Sequence, residues 1–174
     1  MRWPRRRSGR QALPEQLRAR LQLGRHERLL ASSRLDDDGW VVASSEALLV
    51  ADDARVIRHA WHEVAEATWD PESRVVAVRW ATPGEPQLLL RLGDQPGRVP
   101  EVVRERVMST YVLSQRVPVR GRRGVTVAVR RDASDGSLLV QAVPDEGIDP
   151  QRPETADKVA AMARDLAEQV GLHR

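Results

Sequence analysis

Ser73-Arg74-Val75-Val76-Ala77-Val78-Arg79-Trp80 is the stretch on which the fold turns. In an extended chain Val76, Val78 and Trp80 fall on one face, and Val75, Ala77 and Arg79 fall on the other. That period of two belongs to a strand, not a helix. Similar short apolar runs recur outward in both directions, at residues 28–34, 39–44, 46–51, 55–59, 65–70 and 86–92. Between them stand Asp36-Asp37-Asp38-Gly39, Asp52-Asp53, Asp70-Pro71-Glu72 and Thr82-Pro83-Gly84-Glu85-Pro86. These residue types make turns, because Asp bonds its own backbone, Gly accepts positive φ and Pro presets φ. Seven such runs predict an antiparallel β module.

The pattern breaks at Gly93-Asp94-Gln95-Pro96-Gly97. Beyond it Val99, Val103, Val107 and Tyr111 recur every fourth residue, Val102 and Met108 widen the stripe, and Pro100 stands at a first-turn position. A core-facing helix over 98–113 is predicted. A β-hairpin follows, with Val125, Val127 and Val129 alternating in one strand and Leu138, Val140 and Ala142 in the other, joined through Ser134-Asp135-Gly136. Val159, Met162, Leu166 and Val170 then form the stripe of a last helix before Gly171. At the front, Leu13, Leu17 and Leu21 with Pro14 predict a short helix ended by Gly24. The first ten residues hold five Arg and no periodicity, and are expected to be disordered when unbound. The expected organisation is a basic arm over 1–12, a β domain over 13–114, and a β-hairpin plus helix over 115–174 packed on the core.

Glu27-Arg28-Leu29-Leu30-Ala31, Gly39-Trp40-Val41-Val42-Ala43, Ala47-Leu48-Leu49-Val50 and Ala60-Trp61-His62-Glu63-Val64, with Trp69-Asp70-Pro71-Glu72 after them, resemble small bacterial proteins of the pleckstrin-homology (PH) type, particularly those of high-GC actinobacteria. In these a tryptophan–x–Glu–Val turn precedes the fifth strand. The resemblance covers about residues 13–114. It implies an α+β, mainly β fold: a PH-like seven-stranded antiparallel sandwich or barrel closed by a helix, here with an N-terminal helix and a C-terminal β-hairpin and helix. It says little of function, which resides in sites grafted on folds. Lipid-binding PH domains hold phosphates with a basic first hairpin loop, whereas Arg34-Leu35-Asp36-Asp37-Asp38 places three carboxylates there. These would repel a phosphorylated headgroup.

Composition narrows the chemistry. The 174 residues include no Cys, which excludes disulfides, thiolate nucleophiles and Cys-ligated metals. No stretch approaches the roughly 20 apolar residues that span a bilayer, and Met1-Arg2-Trp3-Pro4-Arg5-Arg6-Arg7 is followed by no apolar segment, so a cytoplasmic location is expected. With five Trp, one Tyr and no Phe, each aromatic carries more of the packing. Trp40, Trp61, Trp69 and Trp80 are expected in the core or facing hairpins.

His59, His62 and Glu63 are residue types that suit zinc. Their spacing across a strand end and turn does not make them converge, so they read as a polar turn, with no metal and no cofactor. No Ser lies in Gly-x-Ser-x-Gly, and Gly121-Arg122-Arg123-Gly124 lacks the phosphate-loop spacing; catalysis is not expected. Two Arg clusters are candidates for an anionic partner. Arg2, Arg5, Arg6, Arg7 and Arg10 lie beside Trp3, and Arg120, Arg122 and Arg123 lie in the stretch Arg116–Arg131. For the second, pairing with Asp132, Asp135, Asp145 or Glu146 is the expected local role. The expected function is a non-catalytic binding or scaffold module that meets a protein partner along a sheet edge or beside the 98–113 helix. A nucleic-acid accessory role and attachment to an anionic membrane are the alternatives. A homodimer would follow if the C-terminal hairpin and helix made a separate face instead of packing on the core.

Overall fold

Alternation becomes structure along most of the chain. The computed structural model describes residues 13–172. Helix α1 (Glu15–Arg20) is followed by strands β1 (Leu29–Arg34), β2 (Trp40–Ser44), β3 (Ala47–Ala51) and β4 (Val56–Ala60). A 3-10 turn (Trp61–Glu63) leads to β5 (Val64–Asp70), β6 (Val75–Trp80) and β7 (Leu88–Arg91). Helix α2 (Val99–Ser109), strands β8 (Tyr111–Arg120), β9 (Arg123–Arg131) and β10 (Leu138–Pro144), and helix α3 (Pro153–Gln169) complete the order.

The fold is mainly β, 41% strand and 23% helix, with three antiparallel sheets and three helices among the described residues. The sheets run β1-β2-β3-β4, β5-β6-β7 and β10-β9-β8. None closes into a barrel, which corrects the barrel alternative. The first two sheets touch through a single bridge, Leu35 to Leu92, and otherwise share only side chains. Their inward residues, among them Val41, Leu48, Val64, Val76, Val78 and Leu90, form one core with Val99, Val103 and Val107 of α2. Trp61 lies at its edge, fully buried, with Nε1 donating to the Ser44 carbonyl at 3.1 Å. The outward face of the first sheet carries a second cluster, where Leu17 and Leu21 pack on Val42, Leu49 and Ala51, with Leu13 and Trp40 beside them.

Three differences from expectation have physical reasons. Helix α1 stops earlier than Gly24, because Gln22 adopts φ 47 and turns the chain in the left-handed region. Helix α2 ends at Ser109, with Thr110 bonding its hydroxyl back to Val107 at 2.6 Å. Tyr111, which continues the i+4 stripe in sequence, therefore opens β8. That strand turns the predicted hairpin into a three-stranded sheet and places the expected boundary at 114 inside a strand. Its polar Ser114, Gln115 and Arg116 and its Pro118 suit an edge. Helix α3 covers one face of this sheet, with Leu166, Val159 and Met162 against Val117, Val125, Val127 and Val129. Its end is a Schellman motif: Leu172 N–H donates to Ala167, Gly171 N–H donates to Glu168, and Gly171 has φ 72.

Candidate functional site

Strand β7 has one partner. Its register sets Leu88, Leu89, Leu90 and Arg91 opposite Val78, Ala77, Val76 and Val75 of β6. Leu92 N–H donates to Arg74, so by alternation Leu90 and Leu88 also bond β6, while Leu89 and Arg91 turn their backbone groups outward. The outward Arg91 carbonyl accepts from Asp36 N–H at 3.0 Å. The Leu89 amide and carbonyl receive no bond from any other described residue. Leu89 is also 52% exposed. Beside this edge a groove of about 450 Å³ is lined by Leu35, Val50, Leu88 and Leu90, with Asp36 and Asp37 on its rim and Arg91 at its end. Asp37 is held by the Gly39 N–H at 3.1 Å, and Asp38 pairs with Arg34 at 2.6 Å. An unpaired strand edge next to a groove of mixed leucine and carboxylate lining is the geometry of strand addition, in which the backbone supplies affinity and alternate side chains supply selection.

The Arg cluster of the third sheet separates into three fates. Arg116 pairs with Asp145, as expected of the cluster. Burial of Asp145 pushes its carboxyl up, but the Gly124 N–H and Arg116 outweigh this and hold it below the ordinary carboxylate value. Arg120, Arg122 and Arg123 sit at the exposed β8–β9 connection, and among the described residues none has a carboxylate partner. Arg123 donates only to the Glu146 carbonyl, at 3.3 Å. The expected acids are engaged elsewhere, Asp132 beside His62 at 3.6 Å and Asp135 on Ser137 N–H. The tip is thus a small patch of one sign. Arg130, within the same Arg116–Arg131 stretch, is fully buried in β9. Its Nε donates to Thr110 Oγ1 at 2.8 Å, and one terminal nitrogen donates to the Trp61 and Val64 carbonyls at 3.0 and 2.9 Å. The guanidinium also lies 3.8 Å from the Tyr111 ring centroid.

A larger cleft of about 590 Å³ lies between α1 and the β3–β4 hairpin, with Arg20, Arg55 and Arg58 at its mouth. Every one of these already has an oxygen partner. Arg58 bonds Glu27 at 3.0 Å and Glu46 at 3.5 Å, Arg55 lies 3.6 Å from Asp52, and Arg20 donates to the Asp52 carbonyl at 2.9 Å. Charge is balanced there. Of His59, His62 and Glu63, two meet: His59 Nδ1 lies 3.7 Å from Glu63 and its ring packs on Trp80 with centroids 4.3 Å apart, while His62 turns to Asp132, so the three do not converge on one point. No cluster of three metal-ligating side chains occurs among the described residues. Likewise, no helix among them is long and apolar enough to cross a membrane. Arg2, Arg5, Arg6, Arg7 and Arg10 lie outside the described residues. Comparison with protein-family models, with curated proteins and with solved structures found no match.

Proposed function

We propose that this chain is a non-catalytic binding module with a PH-like core, which takes an extended segment of a partner protein along the free edge of β7. The order of seven strands in a four-stranded and a three-stranded sheet, followed by α2, supports the PH-like part of the reading. The observation that carries the binding part is Leu89, whose side chain is exposed and whose amide and carbonyl are unbonded among the described residues, beside a groove. Panning random twelve-residue peptides on the folded protein tests it. Alternating apolar sequences should be enriched, and Leu89→Asp, a change at an exposed position, should abolish their binding. Enrichment that survives Leu89→Asp places the site elsewhere.

A second reading rests on Arg120, Arg122 and Arg123, three exposed cations without a carboxylate at one hairpin tip. They suit a nucleic-acid backbone. Affinity for a generic duplex should fall steeply with salt, and the triple change to Ala should flatten that slope by about three charges. Equal slopes for both proteins remove this reading. Vesicle flotation separates an anionic lipid surface from nucleic acid for the same patch.

A further inference from the structure

We infer that two copies of this chain join through their β7 edges, antiparallel across a two-fold axis, with Leu88 opposite the partner's Leu88; this rests on the edge reading above and names one partner for it. The first observation is geometry. A proline beside a free edge would remove a donor from it. In the continued β6–β7 register, however, Pro86 falls opposite Trp80, and its carbonyl accepts from Trp80 Nε1 at 3.0 Å. Residues 86, 88 and 90 therefore turn their backbone groups toward β6, and the missing amide lies on that side. Gln87 and Leu89 turn theirs to the free edge, and both residues are exposed.

The second observation is charge. Glu85 precedes a proline and is thereby biased to extended backbone, so alternation puts Glu85, Gln87, Leu89 and Arg91 on one face. Antiparallel pairing about Leu88 reads this series against itself in reverse, with Glu85 toward the partner's Arg91 and Gln87 opposite the partner's Leu89. Both charged residues are exposed, and no ion pair among the described residues engages either. Asp36, which lines the groove beside Arg91, is shared with Arg74, so Arg91 keeps capacity for a second carboxylate.

The third observation fixes the register. The Asp36 N–H already occupies the Arg91 carbonyl. Pairing centred on Leu89 would need that carbonyl for the partner's Gln87. Pairing centred on Leu88 uses only the amides and carbonyls of residues 87 and 89 of each copy. The two Leu88 side chains then meet over the axis, and Glu85 reaches Arg91 by its side chain. A ladder this short makes a transient dimer with a small interface. Another protein taking the Leu89 edge must compete with the second copy, and dilution of the chain favours that protein.

Sedimentation equilibrium of the full chain over a concentration series is the direct test. A monomer–dimer equilibrium is expected, and a chain that stays monomeric to about 0.5 mM overturns the inference. Glu85→Arg sets arginine against arginine, and Arg91→Glu sets glutamate against glutamate. Each should raise the dimer dissociation constant at least about tenfold, and the two changes together should return it to within about threefold of the native value. A dimer indifferent to either reversal overturns the assignment to β7, and single losses without restoration overturn the register. Hydrogen exchange at the Gln87 and Leu89 amides should slow with rising concentration in the native chain and not in Glu85→Arg; exchange that does not follow dimerisation puts the interface elsewhere. Peptides from the panning experiment distinguish the two readings. If they protect Leu89 in Glu85→Arg while the native chain stays monomeric, the inference fails and the edge reading stands. If the native chain dimerises through this edge and no peptide protects Leu89, the inference stands and the wider reading fails. If neither occurs, both fail.

Discussion

Arg130 is the residue on which the third sheet depends. Its guanidinium is buried without a carboxylate, and desolvation pushes its pKa below the ordinary arginine value. Four oxygens satisfy it instead: those of Thr110, Trp61 and Val64 and, at 3.5 Å, Gln141 Oε1. Arg130→Met would take the guanidinium from the buried Val64 carbonyl, while the Trp61 carbonyl keeps the Val64 N–H, and should cost about 1–3 kcal/mol, read from the urea midpoint. Arg130→Lys should not restore it, since a point ammonium lacks the fork that reaches these oxygens together. In sequence, the Val-Ala-Val-Arg-Arg stretch places Arg130 on the face opposite Val127 and Val129, but a face opposite one core is normally solvent. Only the approach of β5 buries it. Glu27 is a second buried polar group. Burial pushes its carboxyl up, yet Arg58, Ser44 and the Gly24 N–H together hold it below the ordinary carboxylate value. A depressed folded pKa contributes stability that is present above the unfolded value, 4.5, and lost as pH falls through the folded one. Melting temperature should therefore drop on acidification below about pH 4.5 in the native chain, and less so in Glu27→Gln; parallel curves would contradict the assignment.

Among the elements, β1 to β7 were readable because each is a short apolar run and four of the breaks between them carry Asp, Gly or Pro turn residues. The predicted runs 28–34, 46–51 and 65–70 differ from β1, β3 and β5 by a residue at one end. Strand β8 was not readable. Its Tyr111 extends the helical spacing of α2, and its middle is polar because it is an edge. The signal that a strand begins lies in Thr110, whose hydroxyl closes the helix. A close backbone approach then holds β8 to β9. A Cβ on Gly124 would land on the Val117 carbonyl oxygen, which is backbone and cannot move aside without parting the strands. Gly124→Ala should destabilise by at least about 2 kcal/mol, measured by denaturant unfolding, with the loss of protection concentrated in β8 and β9.

At the scale of the whole molecule, the third sheet and the first two are tied by Arg130 and by the Tyr111 hydroxyl, which donates to the Ala65 carbonyl at 2.8 Å. A small apolar contact of Ala65, Ala81 and Val143 lies beside them. Unfolding should be a single transition by fluorescence and circular dichroism. Tyr111→Phe combined with Arg130→Met should separate it into two, the C-terminal sheet melting first; one sharp transition in that variant would show that the tie is elsewhere. The candidate site is also a product of this scale. Seven short apolar runs bounded by turn residues by themselves determined the strands, and i+4 spacing determined α2 and α3, since both patterns are local. Tertiary structure alone decided that no sheet closes, that β7 is left with one partner, and that Leu89 faces outward beside Asp36 and Asp37. It also decided which arginines are buried, paired or bare. Those properties depend on which distant segments approach, and a strand's own residues do not encode whether its second edge will be met.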